Sequence, residues 1–184
     1  MTRLILIRHG ETDWNLEGRW QGQADTPLNE RGREQARQLA CELSAAGIQA
    51  IYSSDLQRAL ETAQPLARAA RLPIRTDARL REINQGEWQG LRLNEIQARY
   101  AELYQRREQD PLDIAPPGGE SILQMQQRAF KVLDEILRKH AGETVAIVCH
   151  GLTIAVIRVR LEGCPIEEVW ELIPKNGGWA EYEV

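Results

Sequence analysis

Near the start of the chain, Arg8-His9-Gly10-Glu11-Thr12 sets an imidazole beside a guanidinium and a glycine. A histidine can attack phosphorus only through a ring nitrogen that carries no proton, and an adjacent arginine offers a fixed fork of donors for phosphate oxygens. Gly10 is expected to let the chain turn sharply and approach an anion closely. A histidine after a strand can equally be a hydrogen-bonded structural residue, so the stretch needs company. Arg58 follows Ser53-Ser54-Asp55-Leu56-Gln57 in the first turn of an expected helix, where its charge opposes the helix dipole unless an anion is near. A surface ion pair is the plain alternative. His150-Gly151 follows the apolar run Val145 to Cys149 and opens another helix, whose free N–H groups suit an anion; a core histidine would look the same. Glu82, in Leu80-Arg81-Glu82-Ile83-Asn84-Gln85-Gly86, is either a solvated loop residue or a general acid held protonated part of the time.

Other reactive side chains read as structural. Cys149 adjoins His150, but successive strand residues point to opposite sides, so neither activates the other, and no Cys-x5-Arg loop follows. Ser53 and Ser54 suit a turn and a helix cap. Trp20 and Trp88 fit either an apolar substrate wall or packing.

Positioning these residues requires strands that end just before them. Leu4 to Ile7, Ile51-Tyr52 and Val145 to Cys149 are short continuous apolar runs, as in parallel strands covered on both faces. Helical spacing recurs between them. Ala36, Leu39, Ala40 and Leu43 follow a cap-like Asn29 and stop near Gly47; Ala59, Ala63, Leu66, Ala67 and Ala70 share a face, as do Ile122, Met125, Ala129, Val132, Leu133 and Ile136. Alternation of strand and helix predicts an α/β fold with a mainly parallel central sheet flanked by helices on both faces, and ligands in such sheets gather at the carboxyl ends of the strands. Arg79 to Gly90 and Asp110 to Gly119 read as loops, and Trp179 to Val184 as an edge strand.

A length of 184 residues suits a single domain over 1–184, since a chain of this size buries about 70% of its unfolded surface. With 42% hydrophobic and 27% charged residues it has ordinary globular composition. A net charge of −4 without a basic stripe argues against nucleic acid. No apolar stretch suits a leader or a membrane span, and three cysteines, Cys41, Cys149 and Cys164, lack Cys-x-x-Cys spacing. A cytoplasmic protein without membrane partners, structural disulfides or structural zinc is expected.

Taken in order, Arg8 to Asn15, Ser53 to Ala63, Leu80 to Gly90, Pro117 to Ser121 and Val148 to Gly151 resemble the histidine phosphatase superfamily, in the branch of cofactor-dependent phosphoglycerate mutase and small broad-specificity phosphatases. The likeness implies that His9 is the nucleophile, that Arg8, Arg58 and His150 with Gly151 form the phosphate pocket, and that Asn15 adds a contact. It also implies that Glu82 protonates the leaving alkoxide. Two arginines and a protonated His150 would then neutralise the transferring group without metal or cofactor. The same cations would hold His9 neutral.

The resemblance implies a phosphatase for a small-molecule phosphomonoester if water is the acceptor, and a mutase if a substrate hydroxyl is. In the mutase a tyrosine and a lysine grip the substrate carboxylate, where Gln85 and Leu93 stand here; Arg106-Arg107 falls near its arginine pair without the surrounding pattern. No closing tail is recognised before Val184. Phosphatase is therefore the expected activity, and Leu-Arg-Glu-Ile, Gly-x-Trp-x-Gly and Pro-Gly-Gly-Glu-Ser resemble the broad-specificity, α-ribazole and metal-independent phosphoserine phosphatases. Selectivity is expected in loops near Ala24 to Leu28 and Leu103 to Gly119. An inactive binding protein on this fold remains the alternative of another class, and a homodimer is left open.

Overall fold

The computed structural model describes all 184 residues. Three apolar runs become β1 (Arg3–Arg8), β2 (Ala50–Ser53) and β4 (Thr144–Cys149), joined at the edges by the short β3 (Ile74–Thr76) and by β5 (Trp179–Glu183). The order across the sheet is β3-β2-β4-β1-β5. All neighbours are parallel except β5, which runs antiparallel to β1.

Because alternate strand residues face opposite sides, each central strand supplies both layers. Leu4, Leu6, Val145 and Ile147 pack on one face against α6 (Ile122–Lys139) and α7 (Gly151–Glu162). Ile5, Ile7, Ala146 and Val148 pack on the other against α2 (Glu30–Glu42) and α3 (Gln57–Ala70). Burying each large aliphatic side chain contributes about 1.5–3 kcal/mol, so the two layers fix the strand register. Asn29 caps α2 by accepting from Gly32 N–H at 2.8 Å. No helix is long and apolar enough to cross a membrane.

Two expectations change. Arg79 to Gly90 is not uniformly irregular, since it contains 3-10 turns at Ala78–Leu80 and Gly86–Trp88. Leu103 to Gln109 is not loop but part of α5 (Ala101–Gln109), which follows α4 (Leu93–Arg99). Asp110 to Gly119 carries no helix or strand.

Candidate active site

Three adjacent parallel strands end side by side, and the residue after each is polar: His9 after β1, His150 after β4 and Ser54 after β2. Backbone bonds His9 N–H to Cys149 O and Ser54 N–H to Val148 O, each 3.0 Å, extend the ladder into the site. The histidine rings lie with centroids 5.2 Å apart. A cavity of about 380 Å³ opens here, with Arg8, His9, Arg58, Glu82 and Gly151 in its wall. His150, expected in the phosphate pocket, is 0% exposed and does not itself line the cavity.

His9 is set up as a nucleophile by its own backbone neighbourhood. Nδ1 lies 2.7 Å from Gly10 O. A carbonyl can only accept, so Nδ1 carries the proton and Nε2 keeps a free lone pair. Burial, then the charges of Arg58 and Arg8, hold the imidazole well below its ordinary pKa, so the ring is neutral. Gly177 N–H and the Asn176 side chain donate to His9 O at 3.1 and 3.2 Å, fixing the backbone from the segment before β5.

The arginines are anchored by carbonyls and not by carboxylates. Arg58 donates to Ala24 O and Gly22 O, both at 2.7 Å, and burial pushes its guanidinium down to about 10. Arg8 donates to Pro174 O at 2.5 Å, and burial lowers it too. The Nε–H of each is buried without an acceptor. Two desolvated cations with donors unspent make a site for an anion, because such groups are costly until paired.

Glu82 is held by α7. Its carboxyl oxygens accept from Leu152 N–H at 3.1 Å and Thr153 N–H at 3.2 Å, and the Thr153 hydroxyl, 3.3 Å from Glu82 Oε1, donates to Arg81 O at 3.0 Å. These are helix N-terminal donors expected to meet a bound anion, and the group they meet is the protein's own carboxyl. The loop carrying Glu82 is fastened from outside by Arg128, which donates to Arg81 O and Glu82 O and pairs with Glu120. Pro117 to Ser121 packs on the same loop: Gly86, at φ 49°, lies so close to Pro117 O that a Cβ would come within 2.0 Å of it.

Several expectations are corrected. Gly10 does not have a positive φ; it is glycine because a Cβ would meet Gly32 O at 2.5 Å. Gly151 makes room for Arg8, whose Cζ would lie 3.2 Å from an added Cβ. His150 is not protonated in the phosphate-free protein, because burial and then Arg58 hold it well below its ordinary pKa. Asn15 does not line the cavity; its Oδ1 accepts from Thr12 N–H and Oγ1–H in the cap of α1 (Asp13–Glu17) and from Asn176.

Trp88 is fully buried against Trp20, Tyr100 and Tyr104, a packing role, whereas Trp20 reaches the cavity. Cys149 faces the core and burial pushes its thiol up, away from the thiolate. Nowhere do three or more His, Cys, Asp or Glu side chains gather in a way that would hold a metal ion.

Sequence reasoning gave Ser54 only a turn or cap role, and its Oγ does accept from Leu56 N–H at 3.3 Å, but it missed the contact of that Oγ with His150 Nε2 at 2.8 Å and left Arg107 unassigned. Arg107 is 6% exposed, lies over the rings of Trp20 and Trp88, donates to Gln85 Oε1 and lines the cavity. Leu93, by contrast, is exposed on α4 away from it. No pattern of spacing marks Arg107, because only the tertiary fold brings α5 to the cavity.

A family model described as the histidine phosphatase superfamily (branch 1) matches residues 4–184. Phosphoserine phosphatase 1 of Hydrogenobacter thermophilus is 35% identical, over 98% of this chain and 85% of that protein. Phosphoglycerate mutase-like protein 4 of Arabidopsis thaliana is 39% identical, over 90% of this chain and 74% of that one. Among solved structures, the α-ribazole phosphatase of Shigella flexneri superposes with a TM-score of 0.93 at 30% identity, covering 99% of this chain and 90% of that one.

Proposed function

The chain belongs to the histidine phosphatase superfamily, and from that premise we propose that it hydrolyses small phosphomonoesters through a phosphohistidine on His9, with Glu82 as proton donor. The observation that carries the assignment is the tautomer of His9: Nδ1–H is committed to Gly10 O, which leaves Nε2 free in a cavity walled by Arg8 and Arg58.

In the first step Nε2 attacks phosphorus, the P–O bond to the alcohol breaks and the departing oxygen takes the proton of Glu82. Positive charge growing on the imidazole is stabilised through Nδ1–H by Gly10 O. Arg8 and Arg58 donate to the equatorial oxygens, which carry the charge of the transition state. In the second step water attacks the phosphohistidine, Glu82 takes its proton, and the P–N bond breaks to release phosphate and neutral His9. Both steps conserve protons, since Glu82 ends as it began.

The test is hydrolysis of a chromogenic aryl phosphate in excess chelator, with mass spectrometry of rapidly quenched enzyme. An acid-labile phosphoryl adduct on His9 is expected, with turnover lowered on the order of 10³-fold or more in His9→Ala. An adduct on Cys149 or a serine overturns the mechanism.

One observation favours a second reading, transfer to a substrate hydroxyl. Arg107 is a buried cation in the cavity wall with no carboxylate partner, so a substrate carrying an acid group besides its phosphate could be held for return of the phosphoryl group.

A further inference from the structure

Ser54 and His150 are both 0% exposed, and each has hydrogen-bonding capacity to place. Ser54 Oγ accepts from Leu56 N–H at 3.3 Å and lies 2.8 Å from His150 Nε2. His150 Nδ1 is buried without a partner. His150 is neutral, so one nitrogen carries a proton and the other does not.

Two arrangements exist, and they differ in what they leave unsatisfied. With the proton on Nε2, that N–H donates to Oγ, the Ser54 proton finds no acceptor and the Nδ1 lone pair finds no donor. With the proton on Nδ1, the Ser54 hydroxyl donates to Nε2, and a single group, Nδ1–H, is left without a partner. Buried unsatisfied groups are costly, so the second arrangement is the stable one. The group it leaves over is a donor on a ring whose centroid lies 5.2 Å from that of His9, which is in the cavity wall, and His150 follows β4, between Ser54 after β2 and His9 after β1.

We infer that Ser54 is a positioning residue that fixes the tautomer of His150, so that this histidine offers a phosphoryl oxygen a neutral Nδ1–H donor. A neutral donor suits its place, because His9 gains positive charge as it is phosphorylated and a charged ring 5.2 Å away would oppose this. The identity of the acceptor rests on the phosphatase reading; the tautomer does not.

The three histidines of the chain make a direct measurement simple. Two-bond ¹H–¹⁵N spectra of protein labelled at histidine report which ring nitrogen is protonated. His140 is an internal standard: its Nε2 accepts from Arg75 at 2.9 Å, and Nδ1 lies 2.6 Å from Glu143 Oε2. Wild-type His150 should show protonated Nδ1 and bare Nε2.

Ser54→Ala should move His150 toward the Nε2–H form and lower kcat on an aryl phosphate about tenfold, with a smaller change in KM. Ser54→Thr, which keeps the hydroxyl, should restore both. Protonated Nε2 in the wild type overturns the inference, and this spectrum decides it even if Ser54→Ala fails to fold. Loss of activity in Ser54→Ala with the tautomer unchanged also overturns it. If wild-type enzyme forms no phosphohistidine, the functional reading fails while the tautomer result stands.

Discussion

At the scale of single residues, the site is governed by what burial does to charge. His9 and His150 are both held well below the ordinary value of 6.5, mainly by desolvation and then by Arg58, so the folded protein keeps them neutral while an unfolded chain would protonate them. The unfolded state therefore binds more protons below pH 6.5, and stability falls as pH drops through that value. Each histidine should contribute ~1.4 kcal/mol per pH unit of loss until its folded pKa is reached. Denaturant unfolding between pH 7 and pH 5 measures the slope, and His9→Asn should reduce it by about one proton's worth. A stability profile flat across this interval would mean that the histidines ionise freely in the folded state. The same depression keeps His9 nucleophilic in mildly acidic solution.

At the scale of elements, what was legible in the sequence is what obeys a period. β1, β2 and β4 are runs of buried residues, and α2, α3 and α6 bury regularly spaced faces, so both layers could be read directly. β3 could not, since only Ile74 of its three residues is even partly buried. Nor could α5, whose one buried residue is Arg107. The ends of the central strands located His9, His150 and the turn before Arg58, but the donors on Glu82 come from a helix some seventy positions away in the chain, and no local pattern encodes that meeting.

The loop bearing Glu82 depends on Arg128 of α6, which donates to Arg79 O, Arg81 O and Glu82 O and pairs with Glu120. Arg128→Met should destabilise the protein by about 2–4 kcal/mol, since it leaves carbonyls and a carboxylate unpaired in a partly buried setting. It should also slow alkyl phosphates more than aryl phosphates, because only a poor leaving group needs a well-placed acid. Equal slowing of both classes would show that Arg128 supports the pocket generally and not the proton donor.

At the scale of the whole molecule, the outcome of catalysis turns on which acceptor reaches phospho-His9. A mutase must hold its intermediate and exclude water, which calls for cationic grips on the substrate acid and a covered cavity. Here Gln85, at the position where the resemblance to the mutase puts a grip, is in the cavity wall, Leu93 lies exposed on α4, and the lining residues Trp170 and Ile173 are 45% and 36% exposed. Arg107 is the one group that favours retention, and its donors are partly engaged by Gln85. Water should therefore be the dominant acceptor. Incubation with 3-phosphoglycerate, with and without 2,3-bisphosphoglycerate, should release inorganic phosphate with little 2-phosphoglycerate. Arg107→Ala should raise KM for this acid by about tenfold or more, the scale of a hydrogen-bonded charge, while changing aryl phosphate turnover little. Interconversion much faster than phosphate release, and dependent on the bisphosphate, would establish the transferase reading while leaving the His9 chemistry in place.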